Sequence, residues 1–263
     1  MKRRILIILG AALLLVAAFC GLKLWRISRP PDAVVTEELS PILPTLAPTP
    51  AQTVFPSENT NEPEPSEAPY ISPIDFDTLR SVNPDIYGWI RIDNTNVDYP
   101  VVQRRSDDEF YLTHNSDGEE APQGAIFSEG EYNGRDFTDP VTILYGHNMK
   151  SGAMFGQMQK SYSDSAFFEE DNHILVFTPD EELEYGVFAV VPYGNEHILY
   201  YHDFSNERVF TAFFDSVFGI RDLRARFNSE YSPVPGDRVL ILSTCLSGNL
   251  VSQRFLVMAK LLT

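Results

Sequence analysis

The sequence predicts a mainly β domain, a closed barrel or sandwich of eight short strands with peripheral helices, set behind a transmembrane helix and a Pro-rich stalk. Three observations carry that expectation. An uncharged run occupies residues 5–22, and 11 of the 19 prolines lie between Pro30 and Pro73. From Ile74 onward, runs rich in β-branched and aromatic residues recur with turn residues between them.

The amino-terminal run follows Lys2, Arg3 and Arg4 and ends before Lys23, Trp25 and Arg26. Eighteen helical residues at ~1.5 Å each reach roughly 27 Å, enough to cross a hydrocarbon core. Positive charge ahead of the run favours a cytoplasmic tail at residues 1–4, a signal anchor at 5–22 and everything later outside the cell membrane. The competing reading is a cleaved signal peptide, with Ala17, Ala18 and Cys20 as small residues near a cleavage point, but the run exceeds the usual h-region of ~7–15 residues. A lipoprotein cysteine at Cys20 is disfavoured by Phe19 before it. Residues 23–73 then read as an extracytoplasmic linker. They include Pro41-Ile42-Leu43-Pro44 and Glu62-Pro63-Glu64-Pro65, with almost no periodic apolar pattern to bury.

The remaining residues, 74–263, make one domain. Expected strands are Trp89 to Ile92, Val97 to Val102, Ala125 to Ser128, Val141 to Tyr145, Ile174 to Thr178, Tyr185 to Tyr193, Arg238 to Ser243 and Arg254 to Leu261. Helical signals cover Asp75 to Val82, turns near Asp107 to Leu112 and Met154 to Gln159, and a longer stretch from Asn206 to Phe227 with Ser205 as candidate cap. In that stretch Phe210, Phe213, Phe214, Val217 and Ile220 share one helical face, read as a face packed on the barrel.

Charge narrows the function classes. Of 20 basic residues six lie within residues 1–30, leaving 14 against all 37 acids in the rest of the chain, a balance of −23. A surface this acidic repels phosphate backbones, and no basic cluster offsets it, so no nucleic-acid partner is expected.

The chain has two cysteines, Cys20 in the membrane run and Cys245 near the carboxyl end. No geometry lets them bridge, so Cys245 is either an inert thiol or a reactive one. It follows the apolar run Val239-Leu240-Ile241-Leu242, and a cysteine at the mouth of a strand is exposed and aimed by a rigid element. Nine residues on, Arg254 opens the next strand, so a hairpin-like pair would bring the two together. A permanently charged guanidinium beside a thiol stabilises a thiolate or a developing oxyanion, unless Arg254 is merely a solvated strand-edge residue. A cysteine nucleophile also needs a proton carrier. Of the five histidines, His147 alone shares the strand-end placement, in Leu144-Tyr145-Gly146-His147-Asn148. His114, His173, His197 and His202 read as surface or core residues. Spacing alone does not show that His147 and Cys245 meet, since 98 residues separate them.

The segment from Tyr145-Gly146-His147-Asn148-Met149 to Met154-Phe155, the Leu242-Ser243-Thr244-Cys245 strand end and Arg254 in the last strand resemble the signature of class B sortases. The stretches Asn83-Pro84-Asp85-Ile86-Tyr87-Gly88-Trp89-Ile90 and Asp98-Tyr99-Pro100-Val101-Val102-Gln103 are similar to the beginning of that family's barrel. The resemblance covers nearly all of residues 74–263, and anchor, stalk and barrel match the family's layout. It implies a closed eight-stranded sortase-type β-barrel, with Cys245 as nucleophile, His147 as acid/base and Arg254 as oxyanion stabiliser. One departure bears on substrate choice: Ser247 and Gly248 follow Cys245 where the family often has an acidic residue.

The implied reaction is transpeptidation. Cys245 attacks a carbonyl after the threonine of a sorting signal on a secreted protein, and an amine of peptidoglycan precursor or of a pilin lysine resolves the thioester. Two other readings compete. An L,D-transpeptidase also uses Cys, His and Arg, but resembles a tighter Ser-x-Gly-Cys arrangement absent here; the other is a wall-associated binding module with an inert cysteine. Acid clusters at Asp117 to Glu120, Glu129 with Glu131, Glu169 to Asp171 and Asp180 to Glu184 lack the alternating ligands of a calcium loop and read as solvated surface. No cofactor and no metal are expected.

Overall fold

In the computed structural model, which describes residues 70–170, 173–245 and 253–263, the eight expected strands close into a barrel. They are β1 (Ile86–Arg91), β2 (Asp98–Val102), β3 (Ile126–Phe127), β4 (Val141–Tyr145), β5 (His173–Phe177), β6 (Glu182–Gly194), β8 (Val239–Cys245) and β9 (Gln253–Leu261). A ninth strand, β7 (Arg226–Phe227), pairs among the described residues only with β6. The ring runs β5-β1-β2-β3-β4-β8-β9-β6 and is shut by β6 pairing back onto β5, which excludes the sandwich alternative. The anchor expected at 5–22 and the linker up to residue 69 lie outside the described residues. Among the described residues no helix is long and apolar enough to cross a membrane.

Strand β6 shows how the ring closes. Its first half, Glu182 to Gly186, pairs with β5, and its second half pairs with β7 at Ala189 and Val190 on the edge β5 has left. The register against β9 slips between Val187 and Ala189. Leu183, Tyr185 and Val187 face the barrel interior and Val190 resumes it, whereas Phe188 and Ala189 both pack outside. A bulge of this kind bends and twists its strand, as closure into a small barrel requires.

Strands β4, β8 and β9 read as nearly unbroken apolar runs because both of their faces are covered. Leu144, Leu240, Leu242 and Val257 fill the barrel, while Val141, Ile143, Ile241 and Met258 lie beneath a helix, α5 (Glu207–Phe218). Phe210, Phe213, Phe214 and Val217 are its buried face, as their spacing predicts, and Phe188 meets Phe214 edge-on at 5.6 Å. The helix is shorter than expected. Asn206, not Ser205, caps it by accepting the amides of Arg208 and Val209, and it stops at Gly219. Phe227 belongs instead to β7, because strand pairing with β6 supplies the hydrogen bonds that a longer helix would have had to keep within itself.

The described residues also form four shorter helices: α1 (Phe76–Val82), capped by Asp75, α2 (Met158–Ser163), α3 (Ser165–Glu170) and α4 (Ile198–Tyr201). The expected turn near Asp107 to Leu112 is a 3₁₀ turn at Phe110–Leu112. The helical signal at Met154 to Gln159 is displaced to α2, since Met154 has φ 53° and bridges to Asn148.

Candidate active site

Three strand ends meet at one rim of the barrel. Strands β4 and β8 run parallel with Tyr145 opposite Ser243, so the residues after β4 leave the barrel beside the end of β8. Strand β9 runs antiparallel to β8, and the pairing sets Arg254 directly across from Cys245. Cys245 is the last residue of β8 and, unlike the six before it, is exposed. Arg254 Nη1 donates to Cys245 Sγ at 3.2 Å. The juxtaposition expected from the nine-residue spacing is present, and Arg254 is directed at the thiol rather than into solvent.

His147 comes to the same rim through a glycine. A Cβ at Gly146 would stand 2.5 Å from Ile126 Cδ1 and 2.7 Å from Phe155 Cδ2, so only glycine lets the chain turn over the barrel floor there. The Gly146 amide donates to the Ser243 carbonyl at 3.1 Å, carrying the β4–β8 ladder one residue beyond β4. The segment then doubles back, with Phe155 N donating to His147 O at 3.0 Å, and Asn148 Nδ2 donates to the Cys245 carbonyl at 2.7 Å. His147 Nε2 lies 2.8 Å from the Leu112 carbonyl. A carbonyl only accepts, so Nε2 carries the proton and Nδ1 is the nitrogen that can gain and lose one. Gly124, at φ 58°, makes room for this: a Cβ there would be 2.5 Å from Tyr111 O and 3.2 Å from His147 Cδ2.

Cys245, His147 and Arg254 line one cleft of about 230 Å³, together with Tyr145, Glu129 and His197. The last two correct the sequence reading, which placed Glu129 on solvated surface and His197 at the surface or in the core. His197 Nε2 donates to Glu129 Oε2 at 2.8 Å, and the Tyr145 hydroxyl donates to the same oxygen at 3.1 Å. His197 Nδ1 accepts the Tyr200 amide at 3.1 Å as the cap of α4. Both ring nitrogens are thus committed. The Glu129–His197 contact fastens the segment after β6, which walls the cleft, to the segment after β3. Sequence reasoning had no signal for it, because the two residues belong to unrelated loops until the barrel closes.

Burial pushes the Glu129 carboxyl up from its ordinary value, more than His197 and Tyr145 draw it down, and nearby Asp108 adds to the rise. Burial, and then the Glu129 charge, likewise raises the Tyr145 hydroxyl. An acid that holds its proton more tightly folded than unfolded contributes stability that is present at low pH and lost as pH rises through its raised value. Glu129→Gln keeps an acceptor oxygen but removes the ionisation, so its melting temperature should gain on the parent as pH rises above the ordinary carboxylate range and through the raised value. A difference that stays constant over that rise would contradict the assignment.

The other histidines keep structural roles. His114 stacks on Phe110 with centroids 3.7 Å apart, His173 binds Glu184 and Tyr231, and His202 packs edge-on against Phe213 at 4.9 Å. Residues 246–252, where Ser247 and Gly248 depart from the expected pattern, lie outside the described residues.

Comparison with known proteins agrees with this geometry. A family model described as the Sortase domain matches residues 90–262. The chain is 31% identical over 186 residues to sortase B of Listeria monocytogenes, covering 70% of this chain and 73% of that protein. The solved sortase B of Bacillus anthracis superposes with a TM-score of 0.62 at 31% identity, covering 72% of this chain and 84% of that one. A Staphylococcus aureus sortase B–substrate complex does so with a TM-score of 0.61 at 26% identity, over the same shares.

Proposed function

The chain belongs to the sortase family as a class B sortase, a cysteine transpeptidase, and we propose that Cys245 is its nucleophile, His147 its acid/base and Arg254 its oxyanion donor. The observation that supports these roles most directly is the 3.2 Å approach of Arg254 Nη1 to Cys245 Sγ at the rim where His147 also stands. The thiolate of Cys245 adds to the carbonyl carbon of the scissile peptide, and the oxygen that gains charge takes a hydrogen bond from the Arg254 guanidinium. Collapse of the adduct breaks the C–N bond, and protonated His147 delivers its Nδ1 proton to the departing amine. A thioester on Cys245 remains. The acceptor amine then adds to it, His147 takes a proton from that amine, and the new amide leaves as Cys245 is released. Neither an L,D-transpeptidase nor an inert binding module is favoured, since the family match spans the catalytic domain and the thiol is exposed beside a cation.

The substrate follows the same reading. The Staphylococcus aureus relative is solved with a substrate bound, and for this chain we take the donor to be a secreted protein carrying a threonine-containing sorting signal. The acceptor is an amine of peptidoglycan precursor or of a pilin subunit. Mass spectrometry of the protein mixed with a panel of threonine-containing peptides should find an acyl adduct confined to Cys245, and no adduct with any peptide would remove the assignment.

Residues 1–4, 5–22 and 23–73 are proposed as cytoplasmic tail, signal anchor and extracytoplasmic linker, with the catalytic domain at 74–263 outside the cell membrane. Protease added to intact protoplasts should release a fragment beginning between Pro30 and Pro73, because a proline-rich apolar-poor segment offers unprotected backbone. Full protection of the carboxyl domain would contradict this topology.

A further inference from the structure

Cys245 borders a second cavity as well as the cleft that holds Arg254 and His147, and the two differ in sign. The Arg254 cleft is walled by Asp108, Glu109, Glu129 and Glu196. The second cavity is lined by Asn96, Asn148, Gln157, Lys150 and Lys160 and carries no acidic residue. After residue 70 the chain has three lysines, Lys150, Lys160 and Lys260, so two of the three face one cavity that opens on the nucleophile. Lys260 pairs with Asp237 at 3.5 Å. Among the described residues, neither Lys150 nor Lys160 has an acidic partner.

In a domain this acidic, two lysines that line one hollow with no acidic partner among the described residues make a local positive field where the surroundings would repel anions. The hollow is also held in shape. The Asn96 amide donates to Gln157 Oε1 at 3.2 Å, tying the β1–β2 turn to the start of α2, and the Asn148 side chain holds the Cys245 carbonyl. The acyl carbonyl must face Arg254 for its oxygen to be stabilised, which places the donor peptide in the acidic cleft. The second cavity that Cys245 borders is then left to the second substrate, beside Asn148 and therefore next to His147 in the chain.

We propose that the Lys150–Lys160 cavity is the acceptor site, and that it selects amines carrying a carboxylate near the reacting nitrogen, as short wall peptides do. The proposal rests on the transpeptidase reading of Cys245. Each lysine contributes a charge-assisted contact to the acceptor carboxylate, and the cost of immobilising a flexible ammonium keeps the preference modest.

The test follows partition of the Cys245 thioester between water and a panel of glycine-, lysine- and diaminopimelate-containing peptides, each with a free carboxylate and as its amide. In the parent protein the carboxylate forms should show an acceptor KM about tenfold below their amides, the size expected of two partly exposed ion pairs, and the gap should narrow as salt rises. In Lys150→Gln/Lys160→Gln the carboxylate and amide forms should partition alike, with the loss confined to the second half-reaction. Lys260→Gln should keep the preference. Equal use of carboxylates and amides by the parent, or equal slowing of thioester formation in the double variant, would overturn the acceptor site alone. Absence of any thioester in the parent would overturn the transpeptidase reading, and the acceptor site with it.

Discussion

Cys245→Ala should abolish acyl transfer while leaving the domain as stable as its parent. The thiol lies at the exposed end of β8, after six buried residues that carry the packing. Surface substitutions of that kind change stability by less than about 0.5 kcal/mol, or roughly 1–2 °C in melting temperature for a domain of this size. Covalent catalysis has no substitute at the site. No other cysteine exists in the catalytic domain, and an alanine offers nothing that can carry an acyl group. Peptide cleavage, acyl adduct and transfer to amine should vanish together, read by chromatography and mass spectrometry beside a melting curve. Cleavage that survives in the variant would show that the reaction runs through another group.

Arg254→Lys separates two roles that share a charge. If the guanidinium only stabilised the thiolate, a lysine ammonium at the same position would keep most of the rate. A positioned oxyanion donor needs more than charge, because a planar fork of N–H groups holds direction where a flexible ammonium does not. The geometry favours the second role: cross-strand pairing with Cys245 fixes the Arg254 backbone, and Nη1 reaches Sγ at 3.2 Å. Turnover should fall by roughly 10²-fold or more, as loss of an oxyanion-hole donor does. Alkylation of Cys245 by a small haloacetamide passes through no oxyanion, so its rate should change far less. Comparable losses in both reactions would make Arg254 a thiolate stabiliser only.

The contrast between the two faces of Cys245 gives these variants a further use. Arg254 and His147 line the acidic cleft, whereas Lys150 and Lys160 line the other cavity. Loss of Arg254 should therefore slow both half-reactions, since each passes through an oxyanion, and loss of the lysines should slow only the second.

The strands were legible because their signal is local. Alternation or apolar runs of β-branched and aromatic residues, bounded by turn residues, mark a strand whichever partner it finds, and Val141–Tyr145 was bounded to the residue. The amphipathic face of α5 was legible for the same reason, at helical rather than strand period. Its end was not, because Arg226 and Phe227, beyond the turns that follow Gly219, exchange helical hydrogen bonds for pairing with β6, a choice made by a neighbour distant in sequence. The short β3 and β7 shrink or appear for that reason too: each exists only as far as a partner strand reaches.

The site divides along the same line. Cys245 and Arg254 could be brought together from sequence, because only nine residues separate the ends of two adjacent antiparallel strands. His147 could be nominated but not placed, since its meeting with the cysteine depends on β4 and β8 lying parallel, and no local pattern encodes which strands of a barrel adjoin. Glu129 and His197 were not legible at all. A carboxylate beside other acids reads as solvated surface, and only the closed ring turns it into a half-buried oxygen shared by Tyr145 and His197. The sequence by itself determined the chemistry available, a lone thiol, a permanent cation and a strand-end histidine, because residue type and local period suffice for that. The tertiary structure decided which of these groups share a cleft and which charges line the two cavities that Cys245 borders, because contacts between strands far apart in the chain are fixed by how the barrel closes.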